Sequence, residues 1–587
     1  VTRSGTHPEV GAAGAAHLAR FLAGELWRLK RPKDACKATL HEWVRNRSAR
    51  GEGADLSVGF GRWRAMLVND PGLSAAVLAP PPREDAVTAS PLRTRPVGFL
   101  APKALTISHD ADWERRRPLN ERVLDTGRPH ERRREYLDAL HAAFAAPVRS
   151  PEGIREAMGR LMLSVVLGPG ASEELPAQVR ELMGVVTSAP KRLLLGRLYA
   201  GKRARLYAGI RRQWDVAPER TLVGRFRALG APLGEDEALQ QIPHWMFTFV
   251  LSGTTLLTRS LAMIGSRPET LGRVRAEIEA AGSLEDPASI DRLPFLDACI
   301  RETGRLFAPV TFTIHATPHG ADLDGRHVPG GTQIVQYFPL MQRNTARDPS
   351  ADDWVPERWL TPGSGARALY PNLFLSGARE CPGRDLITFV CTSAIAIQVG
   401  RHGVRVEGDG LGADPLPLAF PDGGLTFSCD HMTAKGGEMT ATRAGTSYAE
   451  LVRMSQAELD ALYRDVEVPG PAPMGDTQGT ALVLPGRGVS EILRKVARLL
   501  WQGKVFDPAR GTLLNKISPL AVKTIRARVY VGDSWFDRGT QATVLDYSKT
   551  SLVARWIRDE IREVGPGLWL GKVYAGRWHV LDFALQG

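Results

Sequence analysis

The sequence predicts a mainly α-helical domain carrying small β-sheets, followed by a second module that is either α+β or a small β-barrel. Three observations predict it. From about residue 120 to 305, apolar residues recur at i, i+3, i+4 spacing between capping and breaking residues, as in EGIREAMGRLMLSVVLG and SIDRLPFLDACIRETGRLF. After Pro309 the pattern changes to short β-type runs, VTFTIHATPHG and GTQIVQYFPL, split by the turn residues of ADLDGRHVPGG. Residues 434–447, AKGGEMTATRAGTS, are small, polar and glycine-bearing, and read as a linker between a domain at 1–433 and a module at 448–587.

The elements follow in order. Residues 11–31 place apolar residues at helical spacing interrupted by Arg20, Glu25 and Arg28, which is the pattern of an amphipathic helix and not of a secretory leader. A bilayer span needs about 18 or more consecutive uncharged apolar residues. The nearest approach is 242–258, which contains Pro243, His244 and several threonines, so no membrane span is expected. A long helix is expected at DLITFVCTSAIAIQVGRHG and a closing hairpin at LAFPDGGLTFSCDHMTA. In the second module, SQAELDALYRDV, GVSEILRKVARLLWQGK and TSLVARWIRDEIREV read as helices. TIRARVYVG, QATVLDYS, LWLGKVYAG and WHVLDFAL alternate as strands, a pattern similar to the small barrels, lipocalin-like among them, that hold lipophilic ligands.

At 587 residues the chain has room for one large domain and a smaller one, and 43% hydrophobic residues is the content of a globular protein. The five cysteines, at 36, 299, 381, 391 and 429, show no CxxC pair and no Cys/His cluster of zinc type. That usage fits a reducing, cytoplasmic setting. The net charge is +12, partly concentrated in WERRRPLNERVLDTGRPHERRREYL at 113–137. A basic stripe attracts acidic proteins, anionic membranes or nucleic acid, and the remaining sequence selects the acidic protein.

One cysteine is presented with particular care, in FLSGARECPGRDL at 374–386. A thiolate is a strong metal ligand that needs positive or hydrogen-bonding surroundings to stay ionised. Gly377 and Gly383 let the backbone close around the Cys381 sulfur, and a helix expected to begin near Pro382 offers its positive end. Arg379 can pair with an anionic cofactor edge, and Phe374 can cover the sulfur against water. Phe374, Gly377, Arg379, Cys381 and Gly383 meet the F, x, x, G, x, R, x, C, x, G pattern of the cytochromes P450, whose haem-binding loop this stretch resembles.

The resemblance extends over about residues 15–434. Glu302 and Arg305 in ETGR resemble the family's ExxR pair, and Arg358 in DWVPERW its third partner. Trp113 and Arg117 in DWERRR resemble the WxxxR whose members bond haem propionates, and His315 stands where the family often has a propionate-binding arginine. The resemblance implies haem b, with Cys381 as the fifth ligand of its iron, dioxygen opposite, and an organic substrate above. It further implies a bacterial-type soluble monooxygenase acting on a lipophilic or secondary-metabolite substrate.

One part of the family pattern is broken. Where the family shows small, Gly, x, acid, Thr, this chain reads FTFVLSGTTLLTRSLAMIG, and no carboxylate occurs from Ala238 to Pro268. Gly253 can still open the helix, and Thr254 or Thr255 can bond a carbonyl or a water, but a threonine supplies no net proton at neutral pH. Two readings follow: a monooxygenase protonated through water or substrate, or a haem-thiolate enzyme that uses peroxide or rearranges its substrate and needs no relay. Residues 448–587 contain no cysteine and no nucleotide-binding glycine motif, so the electrons are expected from a separate ferredoxin or flavodoxin, both acidic, docked on the basic stripe. In the second reading the C-terminal module is a ligand-binding or second catalytic part.

Overall fold

The computed structural model describes most of residues 56–429 and most of 456–586, with isolated positions between 42 and 50 and at 448, 451 and 454. The N-terminal helix expected at 11–31, the linker at 434–447 and the first part of the helix expected at 488–504 lie outside the described residues. The chain separates into two compact units, Val1–Thr433 and Ala434–Gly587.

The first unit is a helical body around one large apolar core. Its central element is the helix Glu235–Gly265, which is long and apolar enough to cross a bilayer by composition, with a mean hydropathy of 1.3. The apolar 18-residue window that gives this value is 67% buried inside the unit, so its apolarity is spent on the core. A π-helical turn, Thr248–Gly253, interrupts it. The helix Arg384–Ala396 runs directly behind the Cys381 loop and ends in a second π turn at Ile397–Arg401.

The expected strands after Pro309 form, at Phe312–Thr317 and Thr332–Tyr337. They pair antiparallel inside a five-stranded sheet ordered Leu56–Phe60, Trp63–Val68, Thr332–Tyr337, Phe312–Thr317, Thr88–Ala89. Trp63–Val68 joins it in parallel. The closing hairpin pairs Val404–Glu407 with Thr426–Cys429.

The second unit is a closed antiparallel barrel of eight strands, the barrel alternative of the two that the sequence leaves open. Its strands run Gly475–Leu482, Trp501–Asp507, Thr512–Ile517, Val522–Asp533, Gln541–Asp546, Ile557–Gly565, Leu568–Ala575 and Trp578–Gln586. The helix Gln456–Arg464 lies against its outside, where Leu459 and Tyr463 pack with Leu482, Val564, Leu568, Leu570 and Ala584. Each such buried leucine or valine contributes about 1.5–3 kcal/mol.

Two helical expectations fail here. WQGK opens a strand, and IRDEIREV, read as an amphipathic helix, is the strand Ile557–Gly565. The second error has a physical cause: both faces of that strand are buried. Asp559 and Ile561 are buried on the inner face, while Glu560, Arg562 and Val564 are buried on the outer one. Glu560 accepts from Ser534 Oγ at 2.8 Å and from the Trp535 amide at 2.8 Å, and Arg562 Nη1 donates to the Tyr463 carbonyl at 2.8 Å. Paired charges on a doubly buried strand erase the alternation that marks a strand with one wet face.

Candidate active site

The Cys381 loop is held from three sides. Its own backbone closes when the Cys381 amide donates to the Phe374 carbonyl at 2.8 Å, and the Arg384 amide donates to the Cys381 carbonyl at 3.2 Å as the helix begins. Arg117 Nη1 donates to the Glu380 carbonyl at 2.5 Å, and Thr126 Oγ1 to the Pro382 carbonyl at 2.6 Å. On the third side Gly377, at φ +60°, lies where an added Cβ would stand 2.5 Å from Ala79 Cα and 2.8 Å from the Leu78 carbonyl oxygen. The end of the helix Pro71–Leu78 therefore also requires a glycine here. Gly377→Ala is expected to cost on the order of 2 kcal/mol from backbone strain and steric contact together. Thermal unfolding of the purified protein reads it as a lowered midpoint.

Gly383 caps the helix Arg384–Ala396 and leaves only ordinary contact, 4.0 Å, between a Cβ and the Cys381 sulfur. Phe374 is half-buried against the core. Burial pushes the Cys381 thiol up, against the lowering effect of the Gly383 amide and of the Arg117 and Arg384 charges. In the free loop burial outweighs these positive surroundings.

Beside the loop lies an uncompensated positive cluster. Arg379 Nη1 donates to His315 Nδ1 at 2.8 Å and Nη2 to the Val87 carbonyl at 2.6 Å. An arginine cannot accept, so His315 presents a bare Nδ1 and carries its proton on Nε2, 3.5 Å from Thr313 Oγ1. Burial, then the charges of Arg379 and Arg93, hold His315 well below its ordinary pKa, so it is neutral. Arg93 donates to Thr313 Oγ1 at 3.1 Å and to Thr106. Among the described residues neither arginine pairs with a carboxylate, and burial pushes both down to about 10. Two arginines facing each other without an anion fit a dianionic ligand edge. Arg93 was not found from the sequence: it lies in PLRTRPVGFL, a helix whose residue pattern carries no local motif.

Trp113 is half-exposed, one turn from Arg117 on the helix Asp110–Leu124. Arg117 is spent on the Glu380 carbonyl and on Glu121, at 2.7 Å, so it braces the loop. Its neighbours in the basic stripe are also largely paired: Arg116 with Glu237 and Asp112, Arg132 with Glu135 and Glu219, and Arg133 with Asp291 at 2.6 Å. The stripe's field is weaker than its composition suggests.

Across the unit, the helix Glu235–Gly265 shows a half-exposed face at Thr248, Leu251, Ser252, Thr255, Thr258 and Arg259, three or four residues apart. Gly253 and Thr254 are buried instead. A Cβ on Gly253 would meet Ile387 at 3.0 Å and Met158 at 3.2 Å, so that glycine serves packing against the helix behind Cys381. The Thr254 hydroxyl donates to the Phe249 carbonyl at 3.0 Å, inside the π turn, and that of Thr258 to the Thr254 carbonyl at 2.8 Å. Thr255 makes no such bond among the described residues. Leu256 is buried, so of the residues just after Gly253 it is Thr255 that lies on the half-exposed face.

Glu302, Arg305 and Arg358 meet as the sequence order implies. Arg305 forks onto both Glu302 oxygens at 2.8 Å and donates to the carbonyls of Gln342, Ala351 and Asp353. Arg358 Nε donates to Glu302 Oε1 at 3.0 Å, and Trp359 Nε1 to Oε2 at 2.8 Å. Arg358 also reaches Asp348 at 2.8 Å. Burial raises Asp348, but hydrogen bonds from Tyr370 and Ser350 and the Arg358 charge outweigh it and hold this carboxyl at about 2. A depressed carboxylate contributes its stability above its unfolded pKa and loses it as pH falls through the folded one. We expect on the order of 2 kcal/mol to disappear between about pH 4 and pH 2, and acid unfolding of Asp348→Asn to lack that step.

Comparison with known proteins agrees with this geometry. Residues 235–389 match the family model for cytochrome P450. Curated relatives include the cytochrome P450 monooxygenase ankB of Aspergillus thermomutatus, 29% identical over 181 residues, covering 30% of this chain and 34% of the relative. The probable cytochrome P450 CYP44 of Caenorhabditis elegans is 32% identical over 187 residues, covering 31% and 36%. Drimenol monooxygenase of Persicaria hydropiper is 28% identical over 198 residues, covering 32% and 39%. This chain thus matches about a third of the length of these relatives. The solved cytochrome CYP175A1 of Thermus thermophilus shares the fold, with TM-score 0.52 at 19% identity over 67% of this chain and 94% of that one.

Over residues 235–389 the chain is similar to the cytochromes P450, a family whose cofactor is haem b. The bacterial-type expectation is not carried by the curated relatives, which are fungal, nematode and plant proteins.

Proposed function

We propose that the protein is a haem-thiolate monooxygenase that oxidises a lipophilic or secondary-metabolite substrate, with electrons from a separate ferredoxin or flavodoxin in the cytoplasm. The observation that supports it best is the pairing of the clamped Cys381 loop with two arginines that have no carboxylate among the described residues. Cys381 Sγ would ligate the iron, while Arg93 and Arg379 would hold the propionates and His315 would orient Arg379 through Nδ1. Arg117 braces the loop at the Glu380 carbonyl, and Phe374 shields the sulfur. Bound haem supplies oxygen activation and insertion into an unactivated bond.

The half-exposed Thr255 hydroxyl is placed to hold a water and hand on a proton, but it is no acid at neutral pH. Net protons come from solvent or substrate. The absence of any Asp or Glu between Glu237 and Glu269 is also the observation that favours the second reading, peroxide-driven or isomerising chemistry without a relay. Turnover separates the two. With NADPH and a surrogate ferredoxin system, the monooxygenase yields an oxygenated product only when reductant is present; product formed without reductant, or only with added peroxide, selects the second.

A further inference from the structure

The interior of the C-terminal barrel is divided along its length. Side chains alternate inward along each strand, so 559 and 561, then 569, 571 and 573, then 581, 583 and 585 face inside. At one end the interior is filled by Phe506, Leu513, Trp569 and Leu585. Toward the other, within three residues of the strand ends, Lys504, Asn515, Tyr547 and Asp559 come together, all more than nine-tenths buried.

Their hydrogen bonds are almost complete. Lys504 Nζ donates to Asn515 Oδ1 at 3.0 Å, to the Tyr547 hydroxyl at 2.7 Å and to Asp559 Oδ2 at 2.8 Å, which spends all three of its protons. Asn515 Nδ2 donates to the Tyr547 oxygen at 2.9 Å, and that hydroxyl donates to Asp559 Oδ2 at 3.1 Å. Burial and the Asp559 charge keep Tyr547 protonated, as this pattern requires. One atom is left over. Asp559 Oδ1 is buried and has no hydrogen-bond partner among the described residues. A buried carboxylate oxygen without a donor carries a desolvation cost that a bound donor would remove.

The surroundings say which donor. Lys504 already cancels the Asp559 charge, so a cation would arrive uncompensated, and an amide would bring a carbonyl with no donor assigned to meet it. Beside the cluster, Ile525, Ile557, Val573 and Leu581 face the interior but remain half-exposed, an apolar wall that is only partly covered. Gly571 lacks the Cβ that would stand 2.2 Å from the Phe583 ring, and that ring forms the floor, 5.1 Å from Lys504 Nζ.

We propose that this end of the barrel binds an uncharged lipophilic alcohol, whose hydroxyl donates to Asp559 Oδ1 and whose hydrocarbon lies on Ile525, Ile557, Val573 and Leu581. The site is independent of the haem reading.

Calorimetric titration of the full chain with menthol and with menthone tests it, because the two share a skeleton and only the alcohol can donate. Menthol should bind one to one, and menthone at least about tenfold more weakly, the loss expected for a hydrogen bond to a carboxylate. Leu581→Phe, and Val573→Phe directly opposite Asp559 on the next strand, fill the wall and should each abolish menthol binding. Equal binding of alcohol and ketone, binding unchanged in both filled variants, or no menthol binding up to its solubility overturns the proposal. Menthol held by the haem unit would survive both substitutions and shift the iron's optical spectrum, an outcome that removes the barrel site and leaves the haem-thiolate reading standing.

Discussion

Cys381→Ser abolishes the thiolate signature: the reduced protein under carbon monoxide loses the absorption band that marks sulfur ligation, and oxygenated product falls to background. A serine hydroxyl is harder and far less acidic than a thiol, so it does not replace the sulfur as a ligand. Three features localise the effect to the ligand atom. The loop is closed by backbone atoms, the Phe374 carbonyl accepting from the amide of 381, and the Arg117 and Thr126 contacts also end on backbone carbonyls. The variant should therefore melt close to the wild type when both are freed of haem. If Cys381→Ser keeps the sulfur-type band, another residue ligates the iron and the proposed function fails with it.

Glu302→Ala is expected to be the most destabilising single change in the first unit. Glu302 and Arg305 are fully buried, and one carboxylate answers Arg305, Arg358, the Trp359 indole and the Val355 amide. Removing it leaves two guanidinium groups without their shared anion, a loss of about 3–5 kcal/mol for a buried pair broken on one side. Against a total stability of about 5–15 kcal/mol, that is enough to depress folded yield and haem content together. Denaturant unfolding should show a midpoint shift of that size. Glu302→Gln, which with its oxygen in the Oε1 place keeps three of the five hydrogen bonds and not the charge, should lie between. Equal stability of all three proteins would show that Asp348 and the carbonyls around Arg305 suffice.

What the sequence discloses and what it hides follow from how contacts are distributed along the chain. Phe374, Gly377, Arg379, Cys381 and Gly383 are legible because a loop around one atom must be contiguous, so its spacing is written in a single stretch. Glu302 and Arg305 share a helix face and are legible for the same reason. Arg93 is hidden: it meets Arg379 and His315 only through tertiary packing, and the segment around it reads as merely apolar and basic. One demand on Gly377 is hidden too, because Leu78 and Ala79, which crowd it, lie about 300 residues earlier. In the barrel, the strands with one wet face were readable from alternation. Ile557–Gly565 was not, since the helix Gln456–Arg464 and the turn after Asp533 bury its outer face.

The closure of that barrel limits how the second unit can meet other chains. Each of its eight strands is bonded to a neighbour on both sides. Among the described strands an extended peptide finds no free row of amides and carbonyls, so strand addition has no edge to use on the ring while it stays intact. Association through this unit is left to side chains, and the same closure protects it from stacking into fibrils edge upon edge.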